Sequence, residues 1–540
     1  MRETPSWSCV PARDACVVDA LLKAWRRARP DAVFIQLEDG RQVTFAALHD
    51  RVAAIAHGLR RNGVQRGDNV LVWMANSVAC VETWFAINCL GAVYVPINTA
   101  LRGQSLTNVL DNSGARHMVA DADLLPALAT AEVRHLRRIY AMGPPPEAVD
   151  PALEVVDAAT LAEAGATELP GLDPPVQPWD AQSIVYTSGT TGPAKGVVSS
   201  YAHLYHMAAP HSFTMVGSDD RYLCHLPLFH VGGTIPLMGM LARGASVALV
   251  PSFSTGLFWD RVRATRTTVV VLLGVMATFL LKQPPGPRDR DHPLQKAIII
   301  PYGADAADFG RRFGVQVSTL YNMTEISTPL AINHAPATAG SCGIPRQGVE
   351  LRLVDGNDID VPAGEVGELI VRTDAPWALC SGYFRNDAAT VGAFRNGWFH
   401  TGDAFRVQDG EYIFVDRMKD TIRRRGENIS SFEIEAEAVK FDAVREAAAI
   451  PVPSALSEDD VMCVVAPAPD AAVEPEALFR FLQQRLPYFM VPRYIRIVDA
   501  LPKTETQKIQ KAALRGQGVT PDTWDCEAAG LSLRRSRRQS

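Results

Sequence analysis

Ten consecutive residues carry the densest chemistry in the chain. Thr187-Ser188-Gly189-Thr190-Thr191-Gly192-Pro193-Ala194-Lys195-Gly196 holds four hydroxyl side chains, three glycines and one lysine, directly after the apolar run Ile184-Val185-Tyr186. Glycines let backbone N–H groups turn toward an anion, hydroxyls add donors, and a lysine adds a mobile positive charge. The pattern fits a polyphosphate cradle at the end of a buried strand. It is not a Walker A loop, because Lys195 stands between Ala194 and Gly196 and no Gly-Lys-Ser/Thr occurs here. Alone, the loop predicts phosphate binding and leaves the reaction open.

Four further motifs follow in order. They are Tyr321-Asn322-Met323-Thr324-Glu325; Gly397-Trp398-Phe399-His400-Thr401-Gly402-Asp403; Asp416-Arg417-Met418-Lys419-Asp420 with Arg423-Arg424-Arg425-Gly426; and Leu501-Pro502-Lys503-Thr504-Glu505-Thr506-Gln507-Lys508. With the loop they resemble the adenylate-forming superfamily of acyl-CoA synthetases, peptide-synthetase adenylation domains and firefly-type luciferases. The resemblance spans nearly the whole chain. It implies that a carboxylate attacks the α-phosphate of ATP to give an acyl-adenylate and pyrophosphate, and that a thiol then displaces AMP. Both half-reactions spread negative charge, so such a site needs cations and donors aimed at oxygens.

The resemblance also implies roles. Thr187, Ser188, Gly189, Thr190, Thr191, Gly192 and Lys195 would hold the phosphates. Thr324 would contact the α-phosphate and Glu325 would hold Mg²⁺, a hard cation suited to carboxylate and phosphate oxygens. Tyr321 would stack on adenine, beside Asn322, and Asp403 would accept the ribose hydroxyls with Arg417 nearby. Gly303 and Ala304 would pass between adenine and the acyl group. Lys508 would bridge the attacking carboxylate and the α-phosphate. Lys419 matches a hinge about which a small C-terminal domain swings. That motion would bring Arg423 and Gly426 to the thioester step, with Gly426 along the pantetheine of coenzyme A, where a missing Cβ permits close approach.

Phe229-His230-Val231-Gly232-Gly233 matches the acyl-pocket segment of CoA ligases. Relatives that activate amino acids usually carry an aspartate where His230 stands, so an α-amino acid substrate is disfavoured and His230 is expected to line or gate the pocket. Leu320 and Asn322 flank Tyr321 where glycines are usual, Ala194 replaces a proline and Gln507 a glycine. Asn322 is expected to narrow the pocket and offer an amide. The leading expectation is an ATP- and Mg²⁺-dependent carboxylate–CoA ligase. A stand-alone enzyme loading a carrier protein's phosphopantetheine or an amine is the alternative. A luciferase-like oxygenase and a non-catalytic nucleotide-binding module are further readings.

These residues need a scaffold. The chain has 540 residues, enough for several cores. Helix-like and strand-like patterns alternate through the first half. Thr44 is a plausible cap before Leu48, Val52, Ile55 and Leu59 at helical spacing, and Asn69-Val70-Leu71-Val72-Trp73 reads as a buried strand. Such alternation predicts an α/β domain with parallel sheets. Past Gly343 short apolar segments between Gly and Pro turns predict a β-rich subdomain, and after Lys419 a compact α+β domain. The expected boundaries are 1–418, 419–515, and a basic, disordered tail over 516–540. For Arg424 and Arg425 a part in the thioester step beside Arg423 is the leading reading, and a solvated basic loop is the alternative. The run Val269–Leu281 is too short to span a membrane and reads as a strand leading into a core helix.

The formal charge of −6 argues against a nucleic-acid binder. Nine scattered cysteines without a C-x-x-C pair exclude a zinc knuckle and suit reduced thiols in a cytoplasmic protein. No signal peptide is legible at Met1-Arg2-Glu3-Thr4-Pro5. Oligomeric state, monomer or homodimer, stays open.

Overall fold

The computed structural model describes residues 9–144, 150, 152–162, 165–187, 194–418, 422–424, 427–429, 431–454, 459–503 and 508–531. Two sheets with mainly parallel pairing dominate the large domain. The first has seven strands and grows from Asn69–Trp73, which lies parallel to Val93–Pro96 on one side and to His117–Asp121 on the other. Its far edge is the antiparallel hairpin Ala181–Thr187 and Lys195–Ser200, in which Thr187 faces Lys195. The strand pattern of the sequence thus delivers both ends of the phosphate loop to one sheet edge.

The second sheet has nine strands. Its inner strands Arg221–Cys224, Val269–Leu273, Lys296–Ile300 and Gln316–Met323 are parallel, and Ser327–Ile332 returns antiparallel. One apolar core joins the two sheets, with Val70, Val72 and Tyr94 on one side and Tyr222, Val247 and Val269 on the other. The helix Val78–Cys89 fills it with Val81, Trp84 and Phe85, all fully buried. Each such side chain contributes on the order of 2–3 kcal/mol of burial free energy. The Ser77 hydroxyl caps this helix by accepting from the Cys80 N–H at 3.1 Å. Thr44 does the same for Phe45–Arg61, as its position predicts, with Ala47 N–H 3.2 Å away.

The β-rich part is an antiparallel sheet of Val349–Val354, Gly367–Thr373, Trp398–Gln408 and Glu411–Arg417, with the short strand Phe394–Arg395 at one edge. The small domain pairs Val444–Pro453, Asp459–Pro467 and Tyr494–Ile497 around its own core, which includes Ile434, Leu478 and Phe479.

The structure refines two readings and corrects a third. Val269–Leu281 is a strand followed by a helix that packs only one side into the core: Ala277 and Leu280 are fully buried, while Val275 and Phe279 are exposed. Arg424 is not solvated. It is 2% exposed, pairs with Asp460 at 2.9 Å and donates to the Val491 carbonyl. The tail does not begin at 516 either, because Trp524–Asp525 adds a strand beside Tyr494–Ile497 and Cys526 is buried in the small-domain core. No disulfide links the nine cysteines, and all except Cys9 are buried. Among the described residues no helix is long and apolar enough to cross a membrane.

Candidate active site

The side of the cleft expected to hold the nucleotide is built where strands of two sheets meet. Tyr321, near the end of Gln316–Met323, donates its hydroxyl to Asp403 Oδ2 at 2.6 Å. Asp403 and Arg417 are direct cross-strand partners, so the guanidinium Nε lies 3.3 Å from Asp403 Oδ1. Asp403 is 3% exposed. Burial raises its pKa, opposed by Arg417, by Tyr321 and by the charge of Lys508. The Arg417 contact is not aligned as a hydrogen bond, and buried Oδ1 accepts none. An unsatisfied carboxylate oxygen beside a cation suits a ligand that brings hydroxyl donors, as the ribose of ATP does.

Glu325 follows in the turn between Gln316–Met323 and Ser327–Ile332. Both Thr324 and Glu325 are buried. Ser327, at φ 64, holds the turn in a left-handed conformation and donates to the Ala378 carbonyl. The Tyr383 hydroxyl donates to Glu325 Oε1 at 2.9 Å, and the Lys195 ammonium sits 4.9 Å from the centre of the Tyr383 ring. Burial raises the Glu325 pKa, and the Tyr383 hydrogen bond opposes it. Among the described residues no cluster of three His, Cys, Asp or Glu could hold a metal. A single carboxylate still fits Mg²⁺, which is commonly bound by one or two carboxylates plus substrate phosphates.

Tyr383 was not among the residues expected from sequence. It carries no periodic or spacing signal. It reaches the site because Gly382 and Phe384 bond to Val198 and Gly196 of the strand after the phosphate loop.

The other side, where the acyl group is expected, is a cavity of about 530 Å³. Helix Val231–Arg243 forms one wall, and Leu320 and Asn322 line it as well. Gly233 lies so close to the preceding turn that a Cβ would stand 2.4 Å from the Pro227 carbonyl oxygen. His230 caps the helix, its Nδ1 accepting from the Gly232 N–H at 3.0 Å. Crowding by the cleft walls lowers its pKa, and the Lys508 charge lowers it further. The ring is therefore neutral near pH 7, with its proton on Nε2, free to donate into the cleft.

Lys508 joins the two sides. It lines the acyl cavity, and its charge acts on both His230 and Asp403. Its segment is closed by the Lys503–Ile509 bridge. Three residues on, Lys511 binds Glu435 at 2.7 Å and the Ser431 hydroxyl. Asp416, on the last strand before the expected hinge, accepts from the Ser431 N–H at 2.8 Å and from its hydroxyl. A chain of polar contacts thus ties the Lys508 segment to the large domain.

Among the other expected residues, Thr187 donates to the Lys195 carbonyl at 3.4 Å, at the neck of the loop. Gly303 caps the helix that Ala304 begins. Arg423 lies in the strand Ile422–Arg424. Ser188, Gly189, Thr190, Thr191, Gly192, Lys419 and Gly426 fall outside the described residues.

Comparison with known proteins gives the family and the fold. Residues 22–384 match the model of the AMP-binding enzymes, and residues 433–508 match that of the AMP-binding enzyme C-terminal domain. A feruloyl-CoA synthase of Amycolatopsis sp is 32% identical, over 92% of this chain and 98% of that protein. A crotonobetaine/carnitine–CoA ligase of Citrobacter koseri is 29% identical, over 88% of this chain and 93% of the other. Among solved structures, the anthranilate CoA ligase AuaEII in complex with anthranoyl-AMP superposes with a TM-score of 0.82 at 24% identity, covering 96% of this chain and 98% of that one. A benzoate CoA ligase from Burkholderia xenovorans gives 0.79 at 23% identity, over 93% and 99%. These last two establish the shared fold.

Proposed function

The chain belongs to the AMP-binding enzyme family and is an AMP-forming acid–thiol ligase, and from that premise we propose how its own residues divide the work on a carboxylic acid, ATP and coenzyme A. The observation that carries the reading is the position of Lys508, at the mouth of the acyl cavity and within electrostatic reach of Asp403.

Asp403 and Arg417 anchor the ribose, and Tyr321 packs beneath the base. Lys195 and the phosphate loop receive the β- and γ-phosphates. Glu325 would hold Mg²⁺, which when bound neutralises charge on the phosphate oxygens. The acid enters the cavity with its carboxylate toward Lys508. His230 donates from Nε2 to one carboxylate oxygen, and the other attacks the α-phosphorus. Lys508 contacts both the carboxylate and the α-phosphate, so its charge opposes the repulsion that builds as the two anions approach. Thr324 donates to the α-phosphate. Pyrophosphate leaves, and the acyl group is now a mixed anhydride with AMP.

Lys508 then blocks the approach of a thiol. The small domain swings about Lys419, breaking the Asp416–Ser431 contact, and presents Arg423 and Gly426 instead. The CoA sulfur attacks the acyl carbon, and AMP departs.

The names of the relatives span a quaternary ammonium acid and an aryl acid, so they leave the acid open. A pyrophosphate-release screen over a panel of acids, with and without CoA, tests the reading. Release with at least one acid, followed by CoA-dependent AMP formation, is expected. AMP formation that needs a carrier protein or an amine in place of CoA contradicts the assigned acceptor.

A further inference from the structure

The acyl cavity runs along one face of the helix Val231–Arg243 from end to end. Gly232, Ile235, Gly239 and Arg243 recur at helical spacing in its wall, and His230 caps its mouth. At about 1.5 Å per residue these 13 residues rise roughly 20 Å. An arginine on a helix leans back toward the N-terminus, which leaves a slot on the order of 10 Å between the mouth and the guanidinium.

The charges along this slot have one sign. Among the described residues no aspartate or glutamate lines the cavity, whereas Lys508 and Arg243 do. Arg243 bonds to backbone carbonyls only: Nε to Val216, and Nη1 to Ala208 and Gly239. Nη2 has one contact, 3.5 Å from the Phe213 carbonyl, at the limit of hydrogen bonding. Burial lowers the Arg243 pKa to about 10, so the group stays cationic at neutral pH. Asp220, the acid whose charge it feels, is committed to Lys296 at 2.7 Å.

An arginine lining an apolar slot with donor capacity left at Nη2 has a chemical consequence. We propose that the cavity selects an acid with an uncharged, ring- or chain-like body whose far end carries an oxygen acceptor received by Arg243, and that it rejects a cationic tail. This rests on the ligase reading above. A trimethylammonium group would be desolvated against two cations with no anion to meet it. A hydroxyl or ether oxygen gains a charge-assisted hydrogen bond.

Matched pairs test this. The acids 4-tert-butylcinnamate and 4-(trimethylammonio)cinnamate share a shape and differ by one charge; 4-methoxycinnamate and 4-ethylcinnamate differ by one acceptor. In pyrophosphate release, kcat/KM should favour the tert-butyl acid on the order of 100-fold. It should favour the methoxy acid about 10-fold. Arg243→Met should erase the methoxy preference. Because Arg243 also pins the segment Ala208–Val216, Arg243→Lys is the companion variant; it should keep rejecting the ammonium acid while losing most of the methoxy preference.

Calorimetric binding of the four acids ranks them without turnover. The expected ranking without turnover supports the pocket assignment and counts against the ligase reading alone. Equal handling of the charged and uncharged isosteres, or an intact methoxy preference in folded Arg243→Met, overturns the inference.

Discussion

Tyr383 holds the Glu325 carboxylate through its hydroxyl and covers the Lys195 ammonium with its ring, so one side chain stands between the proposed Mg²⁺ ligand and the lysine at the end of the loop. Tyr383→Phe keeps the ring and removes the hydroxyl. A hydrogen bond to a charged group contributes about 1.5–3 kcal/mol, so the apparent KM for Mg·ATP should rise roughly 10- to 100-fold. The KM for the acid should stay unchanged, because the cavity is lined elsewhere; initial-rate kinetics with each substrate varied separates the two. Asp403, Glu325 and Lys508 could be singled out as candidates in the sequence because each sits in a dense local motif. Tyr383 could not, since its position depends on pairing between segments nearly 200 residues apart. The partners of Arg424 were not legible for a related reason. A basic run looks solvated until the fold supplies Asp460 and two carbonyls for one of its members.

At the scale of elements, the helix Val231–Arg243 sets the acyl cavity, and its start is fixed by close packing as well as by the His230 cap. Gly233→Ala would drive a Cβ into the Pro227 carbonyl, a rigid backbone atom. Overpacking of this kind costs about 1–3 kcal/mol, and the helix must shift to relieve it. The expected outcome is a lowered thermal midpoint together with a raised KM for the acid. An unchanged KM would show that the helix start does not set the pocket.

Strands and helices of the large domain were readable from apolar runs and caps. The exposed face of the helix Gly274–Leu281 was not, because a short apolar run does not show which of its residues stay uncovered. The strand Trp524–Asp525 lay beyond any periodic signal; it forms because its partner, Tyr494–Ile497, leaves an open edge.

For the whole molecule, three buried imidazoles make stability depend on acid. Burial lowers the pKa of His203 to about 3 and of His206 and His225 to about 4, against an ordinary value of 6.5. The unfolded chain therefore takes up protons first as pH falls below 6.5. The stability that these groups contribute is full above that value and is lost as pH drops toward the folded-state pKa. Each proton adds a slope of about 1.4 kcal/mol per pH unit. Raised carboxyls such as Glu325 and Asp403 act in the opposite sense, so the clean measurement is a difference. In His225→Gln, which can still donate to the Val271 carbonyl, the loss of stability between pH 6 and about pH 4.5 should be shallower than in the parent by that slope. Parallel curves would show that His225 does not titrate on unfolding.

At the same scale, the chain Lys511–Ser431–Asp416 places the small domain where Lys508 faces the cleft. The central claim is that Lys508 serves adenylation alone, in this arrangement. The direct measurement is the two half-reactions of Lys508→Ala taken separately: pyrophosphate release from ATP and acid, and thioester formation from supplied acyl-adenylate and CoA. Adenylation should fall on the order of 100-fold or more while thioester formation stays within a few-fold of the parent. An equal fall in both half-reactions of the folded variant, or an adenylation rate left intact, would contradict the account.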